Sequence, residues 1–197
     1  MKKIGIFGGT FNPVHNGHIN LLKSIDDKLC FDEILLIPSY LPPHKEAEDL
    51  ASGKDRMQML SLATLDIGKA GVCDIELNSK GKSYTIETIK KLKQLFTNAE
   101  LYLIVGADML FTFDEWKQWR EILKYAYLVA SSRNDGEYDR LVKKAEELNS
   151  EKILVVDTEP FVVSSTEIRE KIKTKKDVLD LLPKEVLNYI NKKGLYR

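Results

Sequence analysis

The chain has only two cysteines, Cys30 and Cys73, in 197 residues. A disulfide-stapled scaffold is therefore excluded, and each thiol, set among apolar neighbours, reads as core in a reducing compartment. Net charge is also lacking: 30 basic and 30 acidic residues cancel. No broad attraction to nucleic acid or to an anionic membrane follows, so any phosphate binding must come from local groups. No apolar run approaches the roughly 20 residues that span a bilayer. Met1-Lys2-Lys3 leads straight into a strand pattern without a signal-peptide core, which predicts a cytoplasmic protein. Internal repeats and low-complexity linkers are absent. What is present is 43% hydrophobic residues, enough for one sizeable core and a single domain over residues 1–197.

Strand and helix patterns alternate along the chain. Strands are predicted at 3–7, 34–37, 72–77, 101–105, 127–130 and 153–156. Helices are predicted at 16–29, with Ile19, Leu22 and Ile25 on one face, at 54–68 with Met57, Leu60 and Leu65 apolar, from a Ser83 N-cap to about Phe96, and at 137–149. Trp116 and Trp119, three apart, are expected on one face of a short helix. Ser164 followed by Glu167 has the capping-box spacing at another helix start. The tail, about 175–197, reads as two short helices with Pro183 opening the second. Residues 39–53 form a polar, Pro-rich loop long enough to suggest a function. This alternation predicts an α/β fold with a doubly wound, mainly parallel sheet and a small C-terminal helical segment.

The densest chemistry stands at the start, in Ile4-Gly5-Ile6-Phe7-Gly8-Gly9-Thr10-Phe11-Asn12-Pro13-Val14-His15-Asn16-Gly17-His18. A buried strand meets a glycine turn, a Pro-bounded loop and a helix start. Gly8 and Gly9 remove side chains where the backbone turns and a ligand could approach. His15 and His18 share a face at a helix N-terminus, where free N–H groups and the dipole favour an anion. Three readings stand at this point: a plain turn, a metal pair lacking further ligands, and a phosphate site. The pattern is neither G-x-G-x-x-G nor a P-loop.

Ligands of doubly wound sheets bind beyond the carboxyl ends of the strands. The distinctive segments fall there: Gly8 to His18, Pro42 to Lys45, Gly81 to Thr85, Gly106 to Asp108 and Ser164 to Arg169. All three histidines, His15, His18 and His44, are among them. Arg169 offers a planar guanidinium one turn into its helix, suited to phosphate. Lys45 could close on phosphates from the long loop. Asp108 could accept from ribose hydroxyls or cap a helix.

Gly8-Gly9-Thr10-Phe11-Asn12-Pro13-Val14-His15-Asn16-Gly17-His18 together with Ser164-Ser165-Thr166-Glu167-Ile168-Arg169 resembles the His-x-Gly-His nucleotidylyltransferase superfamily. Pro42-Pro43-His44-Lys45, Ser83-Tyr84-Thr85-Ile86-Glu87-Thr88, Gly106-Ala107-Asp108, Trp116-Lys117-Gln118-Trp119 and the closing Tyr189-Ile190 to Leu195-Tyr196 are similar to its nicotinate-nucleotide adenylyltransferase branch. Lys80 replaces a frequent arginine, and Asn134 after Arg133 replaces a common Pro-Gly.

The resemblance implies adenylyl transfer from ATP to nicotinate mononucleotide, giving deamido-NAD and pyrophosphate. It implies catalytic roles for His15, His18, Arg169 and Lys45. ATP would be held by Phe7, Gly8, Gly9, Thr10 and Phe11, by Gly106 and Asp108, and by Ser164, Ser165 and Thr166. The nicotinate nucleotide would be held by His44, Ser83, Tyr84, Thr85 and Trp119. With no carboxylate cluster in the sequence, Mg²⁺ is expected to arrive on ATP. Neither nucleic acid nor membrane is an expected partner, and a homodimer is. Pantetheine-phosphate adenylyltransferase, a cytidylyltransferase and a non-catalytic nucleotide sensor are the competing readings.

Overall fold

Successive residues of each strand serve opposite layers, and this sorts the helices. The structure is a computed structural model that describes residues 1–40, 49–78, 83–132, 136–158 and 163–197. Six strands, β1 (Lys2–Gly9), β2 (Glu33–Pro38), β3 (Ala70–Val72), β4 (Ala99–Gly106), β5 (Ala126–Ser131) and β6 (Ile153–Val156), form one sheet in the order β3-β2-β1-β4-β5-β6. Every pairing is parallel. Phe7, Ile34, Leu36, Tyr102, Ile104 and Val129 face one apolar layer, whereas Ile4, Ile6, Leu35, Ile37, Leu103 and Leu128 face the other. Strands buried on both faces are what an all-parallel sheet requires.

The first layer is covered by α1 (Asn16–Leu29) and α2 (Gly53–Ala63), and the second by α3 (Thr85–Leu95), α4 (Ala107–Phe111), α5 (Trp119–Tyr125) and α6 (Glu137–Leu148). After β6 the chain returns to the first layer, where Ile168 of α7 (Ser165–Lys173) and Val186 and Ile190 of α8 (Lys184–Lys193) pack with Leu22 and Ile25. Strand order reverses between β1 and β4, so their carboxyl ends open a crevice. The return of α7 brings the last motif to the first. Among the described residues no helix is long and apolar enough to cross a membrane.

Several expectations need correction. The third strand is Ala70–Val72, not 72–77, because the segment that follows turns back on itself, with the Asn78 N–H donating to the Asp74 carbonyl at 3.1 Å. Helix α2 ends at Ala63, where the Thr64 hydroxyl donates to the Leu60 carbonyl at 2.9 Å, and Leu65 beyond it is exposed. Its buried face is Arg56, Met59 and Leu60, with Met57 only half-buried. Cys30 is exposed at the left-handed C-cap of α1 rather than in the core, and Cys73 is half-buried; both are free thiols. The tail contains one helix, α8, because the Asp177 carboxylate accepts the Leu179 N–H at 2.9 Å and diverts the preceding segment into a turn. Pro183 is the N-cap of α8.

Arg56 is 1% exposed, and backbone carbonyls surround its guanidinium. Nε donates to Ala51 at 3.1 Å, and Nη1 donates to Thr10 at 2.9 Å and Ser39 at 2.7 Å. It fastens the loop after β1 to the end of β2 and the approach to α2. Removing it would leave several buried acceptors without donors. Arg56→Met is expected to cost about 3 kcal/mol or more, roughly 6–12 °C in Tm. Arg56→Lys, lacking the fork, should recover only part of this in calorimetry.

Glu76 is held by the Thr88 hydroxyl of α3 at 2.8 Å. Burial pushes its carboxyl above the usual carboxylate range, against the lowering effects of Thr88 and Lys91. A raised folded-state value means that its contribution to stability is complete at low pH and is lost as pH rises through that value. Glu76→Gln should therefore melt with the parent below about pH 4. At pH 7 to 8 it should melt higher by on the order of a few degrees.

Candidate active site

The loop between β1 and α1 supplies the floor of the site. A Cβ added at Gly8 would meet nothing within 4 Å, so this residue presents bare backbone at the carboxyl end of β1. Gly9 differs: a Cβ there would lie 3.0 Å from the Phe11 ring, so its missing side chain accommodates Phe11 rather than a ligand. Phe11 takes a left-handed φ of 48° and is buried edge-on against Phe7, ring centroids 5.4 Å apart. The backbone strain is held in place by this aromatic packing and by the Arg56 bond to Thr10.

His15 is the N-cap of α1 and is buried; His18 is one turn on and half-buried. Their ring centroids are 3.7 Å apart. The His15 backbone N–H donates to His18 Nδ1 at 3.2 Å. In the neutral ring this puts the His18 proton on Nε2, so the imidazole donates from that atom. The Phe7 and Phe11 rings, at 6.0 and 5.1 Å, fix the orientation of His18. Gly17 between the histidines has a structural reason. A Cβ there would stand 2.9 Å from Val163 Cγ1 and 3.0 Å from His15 Nδ1. Only glycine lets the chain before α7 come this close.

Helix α7 docks on the same loop. Ser164 is its N-cap and accepts the Glu167 N–H at 3.1 Å, as the spacing predicts, while the Glu167 carboxylate pairs onward with Lys171 at 2.8 Å. The Ser165 hydroxyl donates to the Pro13 carbonyl at 2.9 Å. Arg169 Nη1 donates to the Asn12 carbonyl at 2.9 Å, and Nη2 stands 3.5 Å from the Thr166 hydroxyl. Arg169 Nε is buried without a hydrogen-bond partner, and among the described residues no carboxylate pairs with this guanidinium. Its charge is held beside the histidine loop without being neutralised. Gly106 closes β4 as the buried N-cap of α4, and Asp108 is exposed in that helix's first turn rather than capping it.

A second group lies where α3 packs on α5. The N-cap of α3 is Tyr84, not Ser83, and the Ser83 hydroxyl is buried without a partner. Thr85 is the first helical residue. Lys117 Nζ lies 3.8 Å over the Tyr84 ring and 3.3 Å from Glu87, linking the α3 start to the tryptophan segment. Trp116 and Trp119 do not share a helix. Gln118 between them is left-handed at φ 54°, Trp116 is extended, and Trp119 begins α5. Both still pack on Phe113, at 5.4 and 5.8 Å. Arg120 stacks over the Trp119 ring at 4.2 Å.

The predicted residues thus gather in two groups, one at β1, α1 and α7 and the other at α3 and α5. The predicted His44 and Lys45, with Lys80 and Asn134, lie outside the described residues. Among the described residues no three His, Cys, Asp or Glu side chains cluster so as to hold a metal ion. A cavity of about 670 Å³ opens beside Tyr40, Arg56, Met57, Asp74 and Asn78, and none of the predicted site residues lines it.

Sequence reading passed over Arg56, and it placed Asn12 and Tyr196 within motifs without giving either a role. The Asn12 side chain is buried and fully bonded: Oδ1 accepts from Ala51 N–H at 3.0 Å and Tyr196 O–H at 2.7 Å, and Nδ2 donates to the Asp49 carbonyl at 2.9 Å. For Arg56 the signal was its place three and four residues before Met59 and Leu60, on the apolar face of α2.

Residues 6–171 match the model of the cytidylyltransferase-like family. A probable nicotinate-nucleotide adenylyltransferase of Clostridium tetani is 42% identical over the whole of both chains. The nicotinate-nucleotide adenylyltransferase of Bacillus subtilis is 36% identical, covering all of this chain and 99% of the relative. A solved Plasmodium falciparum nicotinic acid mononucleotide adenylyltransferase complexed with NaAD superposes with a TM-score of 0.82 at 21% identity, covering 100% of this chain and 98% of that one, which establishes the fold. The chain is a member of the cytidylyltransferase-like family and, within it, of the nicotinate-nucleotide adenylyltransferases.

Proposed function

We propose that this protein transfers the adenylyl group of ATP to nicotinate mononucleotide, releasing pyrophosphate and forming deamido-NAD. The observation that carries the reading is the docking of α7 on the histidine loop, where Arg169 bonds the Asn12 carbonyl three residues before His15. This bond brings a guanidinium, without a paired carboxylate among the described residues, to the loop that carries the two imidazoles.

The nucleophile is a phosphate monoester, largely dianionic at neutral pH because its second pKa is about 6. It needs no general base. An oxygen of that phosphate attacks the α-phosphorus of ATP, and the bond from that phosphorus to the bridging oxygen breaks. The protein's task is alignment and charge neutralisation. His18 Nε2 and His15 stabilise charge on the transferring phosphoryl group. Arg169 holds the departing pyrophosphate, with Lys45 as its second cation. Phe7 to Phe11 and Ser164 to Thr166 border the adenosine, and Gly106 and Asp108 its ribose. Mg²⁺ bound to ATP would supply further neutralisation of the phosphates.

Acid-over-amide preference arises at the second group. Backbone N–H groups at Tyr84 and Thr85 and the positive end of α3 meet the nicotinate carboxylate, with the Ser83 hydroxyl and His44 beside it. The Trp119 indole, whose face already takes a cationic plane in Arg120, stacks with the pyridinium. An amide forfeits the charge component. The free thiols Cys30 and Cys73 suit a reducing cytoplasm.

A pyrophosphate-release assay with ATP and nicotinate mononucleotide, run beside nicotinamide mononucleotide and phosphopantetheine, tests the reading. Release should be fastest with the acid mononucleotide. Preference for phosphopantetheine, or ATP binding without release, would contradict it. His18→Ala is expected to lower turnover by roughly 10²–10³-fold, the usual loss for one charge-stabilising donor; steady-state rates within a few-fold of the parent would refute its role. Trp119→Ala should raise the mononucleotide KM about tenfold or more, as loss of a stacking platform does, while the ATP KM moves much less. Equal changes in both would mean that Trp119 is only core.

A further inference from the structure

Tyr196 lies beyond α8, outside any regular element. Here the ring is 8% exposed and the backbone is left-handed, at φ 63°. A tyrosine in that conformation persists only where its surroundings hold it. Gly194 makes this possible by ending α8 at φ 65° and turning the last residues back. The Tyr196 hydroxyl then donates to Asn12 Oδ1 at 2.7 Å, across 184 positions of sequence. Asn12 in turn offers its carbonyl to Arg169. Both Arg169 and Arg56 lie close enough to act electrostatically on the Tyr196 hydroxyl, and burial raises that phenol well above its ordinary range. It therefore remains a proton donor at every working pH.

The same segment grips the loop a second time. The Asn16 N–H donates to the Leu181 carbonyl and Asn16 Nδ2 to the Asp180 carbonyl, both at 2.9 Å. Asn12 and Asn16 flank the Pro13 to His15 stretch, so the C-terminal segment fixes that stretch at both ends. In contrast, the Tyr189 hydroxyl on α8 donates to the Asp55 carboxylate of α2 at 2.7 Å, not to a loop residue.

We propose that Tyr196 is a positioning residue for adenylyl transfer, setting the Asn12 carbonyl that orients Arg169 against the phosphates. The inference rests on the function proposed above. It makes the segment after α8 part of the phosphate site by way of Asn12 and Arg169.

The test is a double-mutant cycle. Tyr196→Phe keeps the ring and removes only the hydroxyl. It should lower kcat about tenfold, the equivalent of one lost hydrogen bond of about 1.4 kcal/mol, with each KM changed less than twofold. In an Arg169→Ala background the same change should lower kcat by less than twofold, because the group through which it acts is gone. Tyr189→Phe removes a comparable hydroxyl bond from α8, the helix that precedes Tyr196, and should leave kcat unchanged. Equal losses in both backgrounds, no loss in the parent, or a matching loss from Tyr189→Phe would overturn the proposal. Wild type in the same assay distinguishes the two readings: no turnover counts against the proposed reaction. The ¹⁵Nε–H resonance of Arg169, assigned through Arg169→Lys, then decides the inference without turnover. It should shift in Tyr196→Phe and not in Tyr189→Phe; a resonance unmoved by Tyr196→Phe would contradict the coupling.

Discussion

The bond from Arg169 to the carbonyl of Asn12, at 2.9 Å, closes this molecule together with the Ser165 bond to the Pro13 carbonyl. It joins the helix that follows the last strand to the loop that follows the first. The sheet makes it possible, because the chain covers one layer with α1 and α2, crosses to the other for α3 to α6, and returns for α7 and α8. Without that return the guanidinium and the imidazoles would stand on different layers. With it, the capping serine Ser164, the Pro13 bond from Ser165 and the missing side chain of Gly17 all serve one junction.

The second constraint is how positive charge is kept. The chain has no net charge to offer a polyphosphate. Several surface lysines are paired with carboxylates, as in Lys2–Glu33, Lys144–Asp114 and Lys171–Glu167. Arg169 and Arg56 are held by backbone carbonyls instead. A carbonyl orients a guanidinium without cancelling its charge. Desolvation is the cost, and it lowers the Arg56 pKa from its ordinary value. The uncancelled charge is then available behind and beside the loop where phosphates would bind.

The parts legible in the sequence were those whose local pattern and tertiary role agree. Strand β1, helix α1 with buried Ile19, Leu22 and Ile25, and the Ser164 cap are examples. The misreadings have local physical causes. Cys73, Ile75 and Leu77 alternate like a strand, but the Asp74–Asn78 turn consumes the backbone bonds a strand would need. Trp116 and Trp119 sit at helical spacing, yet one left-handed residue, Gln118, places them on separate elements, and both rings pack on Phe113. Cys30 has apolar neighbours in sequence but falls at an exposed helix end. The roles of Arg56 and Tyr196 were illegible for a different reason. Their partners lie on the Thr10–Asn12 loop, 46 and 184 positions away, and no local periodicity encodes such contacts.

The central claim is that His15, His18 and Arg169 address one polyphosphate. A crystal structure of the protein soaked with a non-hydrolysable ATP analogue and Mg²⁺ tests it most directly. The account predicts phosphate oxygens within hydrogen-bond distance of both His18 Nε2 and the Arg169 guanidinium, with the adenosine along Phe7 to Phe11. A triphosphate bound elsewhere, touching the imidazoles or the guanidinium but not both, would contradict it.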